Sequence, residues 1–249
     1  HNWQNLSEEE RGTVARKYMW VMRSPAEVQG QGGRTVGFLG NDRRPDEWLY
    51  LPSVRKVRRL AASVSQDYLP GTIVHLDQVS HTSQLPDLDY KLVGVELWKG
   101  DPTAIGFRPE DNNTDITYGD GKPQPVIDRT GDIALVFEIT PKPGVRWWYS
   151  KLYRRIALHG GYWIGDDAYD AKGERIQTVY LRNLLPPSDL RGSLPQYYVH
   201  LGQMFMHEPK TGLWGIGRHY EPAQWDVDVP KWLFNPDTLL REPGSLTFW

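Results

Sequence analysis

The sequence contains no cysteine, which excludes a disulfide framework, a thiolate metal site and a lipidated cysteine within it. No run of about 18 apolar residues occurs, so no segment has the makeup of a membrane-spanning helix. Charge of one sign is not in excess either: 29 Lys and Arg stand against 31 Asp and Glu, with an isoelectric point near 6.4. A nucleic-acid-binding domain is expected to be strongly basic, and this balance argues against one. The first residues, His1-Asn2-Trp3-Gln4-Asn5-Leu6, have neither the charged start nor the apolar core of a signal peptide, so a mature or trimmed product is expected.

Catalytic signatures are also lacking. There is no Gly-x-Ser-x-Gly elbow, no P-loop and no Gly-x-Gly-x-x-Gly, and the seven histidines show no zinc-ligand spacing. Asp111-Asn112-Asn113-Thr114-Asp115 begins like a calcium loop, but Ile116 stands where Gly is needed and Lys122 where a bidentate Glu is needed. Asp166-Asp167 with Asp170 reads either as an acid/base or metal cluster or as a polar strand end entering a hairpin turn. The expectation is a non-catalytic chain with neither metal nor cofactor.

What is abundant is aromatic and turn-forming: 11 Trp, 13 Tyr and 6 Phe, with 24 Gly and 19 Pro. That is the composition of strands and turns. One helix is expected first, over about 7–24, because Ser7 and Glu10 have capping-box spacing and Val14, Tyr18, Met19, Val21 and Met22 follow roughly on one face. A Gly-rich break comes at 30–33. Strands are expected at Arg34–Leu39, Trp48–Leu51, Val54–Leu60, Asp89–Lys99, Asp132–Thr140, Val145–Leu158, Tyr162–Tyr169, Glu174–Arg182, Pro195–Met206 and Leu213–Tyr220. Short turns such as Pro141–Gly144 and Asp170–Gly173 make consecutive strands antiparallel. Residues 100–129 read as a long polar loop, and a last helix is expected from Asn235-Pro236-Asp237. No linker demands more than a single domain over 1–249.

Several strands carry apolar residues on both faces. In Asp132–Thr140, Ile133, Leu135, Phe137 and Ile139 alternate with Ala134 and Val136. An antiparallel sheet with one wet face alternates cleanly, so this sheet needs a cover of helices, another sheet or a ligand. The strongest local charge feature is Arg55-Lys56-Val57-Arg58-Arg59. It reads as a charged edge strand or as a contact for anionic head groups or an acidic partner.

The stretch Asp46-Glu47-Trp48-Leu49-Tyr50-Leu51-Pro52-Ser53-Val54-Arg55-Lys56-Val57-Arg58-Arg59 resembles the signature of the outer-membrane lipoprotein-sorting-like family, related to LolA and LolB. Asp89–Gly94, Tyr149–Ile156, Tyr169–Glu174 and Phe234–Arg241 resemble its later motifs, in order. The resemblance covers roughly 34–241. It departs from the family at Ile156–Trp163 and after Arg59, which bears on ligand identity. It implies a mainly β (α+β) fold: a curved, incompletely closed antiparallel β-barrel with a few covering helices. It also implies a periplasmic carrier for a lipid, lipoprotein or other hydrophobic compound, meeting a membrane transporter or outer-membrane partner, with its signal peptide removed. Trp48, Tyr50, Leu92, Phe137, Trp147 and Tyr149 are the cavity candidates, and Arg55, Arg58 and Arg59 the head-group or partner contacts. The alternatives are a structural or accessory subunit of a cell-envelope assembly and, ranked lower, a carbohydrate-binding or carbohydrate-active protein.

Overall fold

A computed structural model of the protein describes residues 10, 12–22, 26–40, 43–60, 66–69, 71–80, 85–99, 130–184, 200–218 and 231–235. The chain divides into two compact units, His1–Asp87 with Asp226–Trp249, and Leu88–Trp225.

The first unit holds a four-stranded antiparallel meander of β1 (Val14–Val21), β2 (Gly32–Phe38), β3 (Asp46–Leu51) and β4 (Lys56–Arg59), in that order. The helix expected over 7–24 is therefore corrected: its residues 14–21 are a strand. The same eight positions satisfy both periods, but Val14, Tyr18, Trp20 and Val21 are β-branched or aromatic and favour the pleated surface. The backbone carbonyl of Glu10, the expected capping-box residue, accepts the Thr13 and Val14 N–H groups at 3.1 and 2.9 Å, closing a turn that leads into β1. Ser7 lies outside the described residues. The Gly-rich break is also shorter than expected, because Gly30 turns at φ +83° while Gly32 and Gly33 already belong to β2.

Gly33 has a packing reason. It pairs with Trp20 across the sheet, and a Cβ there would fall 2.5 Å from the indole. Gly33→Ala should therefore displace Trp20 and destabilise the protein by roughly 1–3 kcal/mol, read as a lower denaturant midpoint at unchanged slope. Farther on, a 3-10 helix at Pro52–Val54 ends on Arg55, whose left-handed φ of 50° turns the chain into β4. This divides the strand expected over Val54–Leu60. One short helix, α1 (Leu76–Ser80), and 3-10 helices at Leu85–Asp87 and Lys231–Phe234 complete the described part of this unit. The helix expected after Pro236 lies outside the described residues.

The second unit is a seven-stranded sheet. Its strands are β5 (Leu88–Leu97), β6 (Ile133–Pro141), β7 (Lys151–Ala157), β8 (Trp163–Tyr169), β9 (Arg175–Leu184), β10 (His200–Glu208) and β11 (Leu213–Arg218). They pair in sequence order from β5 to β11, every pair antiparallel. Among the described strands β5 and β11 do not pair, so the sheet is not closed. The mainly β, antiparallel, unclosed architecture is as expected. β7 begins at Lys151 and not at Val145, because the chain leaves the Gly144 turn without joining the ladder until Ser150, whose N–H donates to the Tyr169 carbonyl at 2.9 Å. The loop expected at 100–129 lies outside the described residues.

Candidate functional site

Register assigns side chains to the two faces of the seven-stranded sheet. A bulge at Val93 shifts β5 against β6, so that Leu92 pairs with Phe137, Val95 with Leu135 and Leu97 with Ile133. These residues share one face with Ile139 of β6 and with Leu152 and Ile156 of β7. Lys91, Gly94 and Glu96 lie on the other face, with Tyr153 and Arg155 across β6.

The Leu92 face changes character along its length. Toward one end a buried cluster gathers Leu88, Ile139, Tyr149, Leu152 and Ala168, with Phe137, Trp147 and Trp148 packed against it. Both indoles meet the Tyr149 ring edge-on, Trp148 at 4.8 Å and Trp147 at 6.3 Å between centroids. Toward the other end the face is apolar and, among the described residues, exposed: Leu92 is 53%, Val95 63%, Leu97 70% and Ile133 43% exposed. Together they expose on the order of 400 Å², the size of the largest apolar patch on a typical monomer, which is often functional.

One charged pair is set into this apolar face. Asp166, buried on β8, accepts Arg154 Nε and Nη2 at 3.0 and 2.7 Å and Trp163 Nε1 at 2.8 Å. Burial works against the Arg154 charge, but Asp166 more than offsets it and holds the guanidinium pKa above its usual value. On the opposite face Arg155 bridges Glu96 at 2.6 Å and Asp167 at 2.8 Å, and Asp167 also accepts the Thr178 hydroxyl at 2.8 Å. Asp170 accepts the N–H groups of Lys172 and Glu174 at 2.8 and 2.9 Å, which ties the β8–β9 hairpin. Asp166, Asp167 and Asp170 thus have separate structural partners; only Asp170 stands at the strand end and ties the turn, whereas Asp166 and Asp167 are buried in the middle of β8.

The opposite face has its own aromatic group. Trp98 stacks on Tyr180 at 5.4 Å and lies over Gly165, where a Cβ would fall 2.9 Å from the indole. Phe205, Trp214 and Ile216 complete it. Both faces are therefore partly apolar, as the strand patterns require.

In the first unit, Trp48 and Tyr50 sit on the same face of β3. Register sets Arg34, Trp48 and Arg59 in one row across β2, β3 and β4, and Gly32, Tyr50 and Val57 in the next. The Arg34 and Arg59 guanidiniums lie 4.8 and 6.0 Å from the Trp48 ring centroid. Burial lowers the Arg34 pKa against the opposing pull of Glu10 and Asp46. Arg59 is exposed and bonds Asp46. Arg58 projects from the opposite face, opposite Leu49, and Arg55 lies at the turn before β4.

Of the cavity candidates, Leu92, Phe137, Trp147 and Tyr149 thus share one face region of the second unit, and Trp48 with Tyr50 form a separate group in the first. Val95 and Leu97, the most exposed residues of the patch, and Ile133 beside them were missed. Their signal was present in Val95-Glu96-Leu97, a clean apolar–charged alternation, but the bulge that aligns it with Leu92 is not visible in sequence. Arg34 was missed because its tie to Trp48 is a cross-strand neighbour relation.

A family model described as an uncharacterised protein matches residues 15–240. No curated protein matches the chain. Among solved structures, a domain described as an outer membrane lipoprotein-sorting protein domain, from Vibrio parahaemolyticus, aligns with a TM-score of 0.65 at 16% identity, over 93% of this chain and 80% of that one. A DUF1329 family protein from Desulfovibrio piger aligns with a TM-score of 0.58 at 18% identity, over 89% and 75%. A LolA superfamily protein from Nitrosomonas europaea aligns with a TM-score of 0.49 at 16% identity, over 90% and 78%. The fold is thus similar to that of the Vibrio parahaemolyticus domain and the Desulfovibrio piger protein.

Proposed function

We propose that this chain, which belongs to the uncharacterised family whose model matches residues 15–240, is a non-catalytic carrier for a lipid, a lipoprotein acyl chain or another hydrophobic compound. The carrying observation is the uncovered apolar patch of Leu92, Val95, Leu97 and Ile133, continuous by register with the Phe137 and Tyr149 cluster. Burying on the order of 400 Å² of it would contribute about 10 kcal/mol before the costs of association. That is enough for a reversible ligand and suits a carrier, which must also release its load. The likeness to lipoprotein-sorting folds supports a periplasmic site of action and exchange with a transporter or an outer-membrane partner.

A hydrophobic fluorophore should bind saturably and be displaced by a long-chain fatty acid. Absence of saturable uptake would count against the carrier reading.

The Arg34, Trp48 and Arg59 row is the proposed contact for anionic head groups. Arg59→Ala should weaken binding to anionic vesicles about fivefold relative to neutral ones, since one exposed cation near such a surface contributes about 1 kcal/mol. Arg58→Ala, on the opposite face, should have a clearly smaller effect in the same vesicle sedimentation assay. Equal effects would remove the row from the account.

A further inference from the structure

We propose that β5 pairs edge to edge with β5 of a second copy of this chain, forming a symmetric antiparallel dimer. Among the described strands β5 has a neighbour on one side only, β6. It is a ten-residue strand with Leu92, Val93, Val95 and Leu97 all exposed, and a long apolar edge of this kind is a template for another strand. The occupant is indicated by the sequence of the strand itself. Set antiparallel to its own copy, β5 brings Lys91 opposite Glu96, Leu92 opposite Val95 and Tyr90 opposite Leu97. Charge meets opposite charge, and apolar meets apolar, twice over by symmetry.

The Val93 bulge makes this match possible. In an unbroken strand Lys91 and Glu96 would point to opposite faces and could not meet across a ladder. The shift between Leu92 and Gly94 puts Lys91, Gly94 and Glu96 on one face and Leu92, Val95 and Leu97 on the other. Gly94 has open space where a side chain would stand, leaving room at the centre of the pairing. Arg155 holds Glu96 at 2.6 Å, while the Glu96 side chain remains 41% exposed and accessible to a second cation. Pairing uses backbone groups at the strand edge. The apolar side chains of the two copies would then form one continuous face, and nothing in the pairing requires a ligand.

The chain has no cysteine, so single-cysteine variants report contacts cleanly. Leu92→Cys and Val95→Cys replace exposed residues and should fold. On mild oxidation a mixture of the two variants should give a disulfide-linked dimer in clear excess over either variant alone, because Leu92 faces Val95 and neither faces itself. Light scattering should show wild type as a dimer at around 100 μM, and Lys91→Glu should weaken it roughly tenfold by setting like charges opposite each other. A monomer at that concentration, or cross-linking of each single variant as readily as the mixture, would overturn the pairing. Fluorophore uptake is read on the wild-type protein, whose patch is intact. Uptake without a dimer rejects this inference alone, and a dimer without uptake rejects only the carrier reading.

Discussion

Asp166→Ala is expected to lower stability by about 3–5 kcal/mol, among the largest effects of any single substitution in the second unit. The carboxylate is 2% exposed and receives two bonds from Arg154 and one from Trp163. Its removal leaves a guanidinium facing an apolar surface and an indole N–H without its acceptor. A third of the Arg154 side chain reaches solvent, which relieves part of that penalty and favours the lower end of the range. For a chain of this size about 3 kcal/mol corresponds to a fall in Tm of roughly 6–12 °C. Asp166→Asn keeps the shape and an acceptor oxygen but loses the charge, so it should fall between wild type and alanine. Calorimetry on the three proteins checks the order. An alanine variant within about 1 kcal/mol of wild type would mean that the pair contributes little to holding β7 against β8.

The second large effect concerns binding. Leu97→Ser combined with Ile133→Ser should weaken uptake of an apolar ligand roughly thirtyfold or more, while changing Tm by only a few degrees. The two residues are register partners on the uncovered part of the Leu92 face. Each removes an apolar side chain able to contribute roughly 1.5–3 kcal/mol on full burial. Neither fills the core, so the fold loses little. Serine is neutral, which keeps head-group electrostatics out of the comparison. The same pair of changes at Val179 and Met206, which are buried, would instead unfold the sheet without reporting on binding. Fluorophore titration on the double variant checks the first expectation and thermal melting the second. Unchanged affinity would place the ligand elsewhere.

The strands of the second unit were largely legible because their signals are local. Ile133 to Ile139 is a short run rich in β-branched and aromatic residues, and Asp170 with Gly173 marks a hairpin whose bonds are then found. The N-terminal strand was not legible for a physical reason. Val14, Tyr18 and Val21 sit at helical spacing, yet they also fall on a strand whose partner, β2, supplies the deciding hydrogen bonds. Local pattern cannot distinguish these, and the tertiary partner does. Trp147 and Tyr149 reached the right neighbourhood by a different route from the one expected. They precede β7, outside the strand expected to carry them, and side-chain packing in the cluster of Leu152 and Phe137 gathers them. The Val93 bulge had no sequence signature beyond Gly94, yet it determines which β5 residues share a face. Arg58 and Arg59 looked equivalent in the basic run, and only register separates the one beside Trp48 from the one across the sheet.

The exposed apolar face of Leu92, Val95, Leu97 and Ile133 is the proposed seat of a hydrophobic ligand. Native mass spectrometry of gently purified protein tests it most directly, compared before and after delipidation and re-exposure to a lipid extract. The account predicts a mass increment of one or a few lipid molecules that disappears on delipidation, returns on exposure and is strongly reduced in the Leu97→Ser, Ile133→Ser variant. Protein that stays at its bare mass throughout, or an increment that the double variant retains in full, would contradict it.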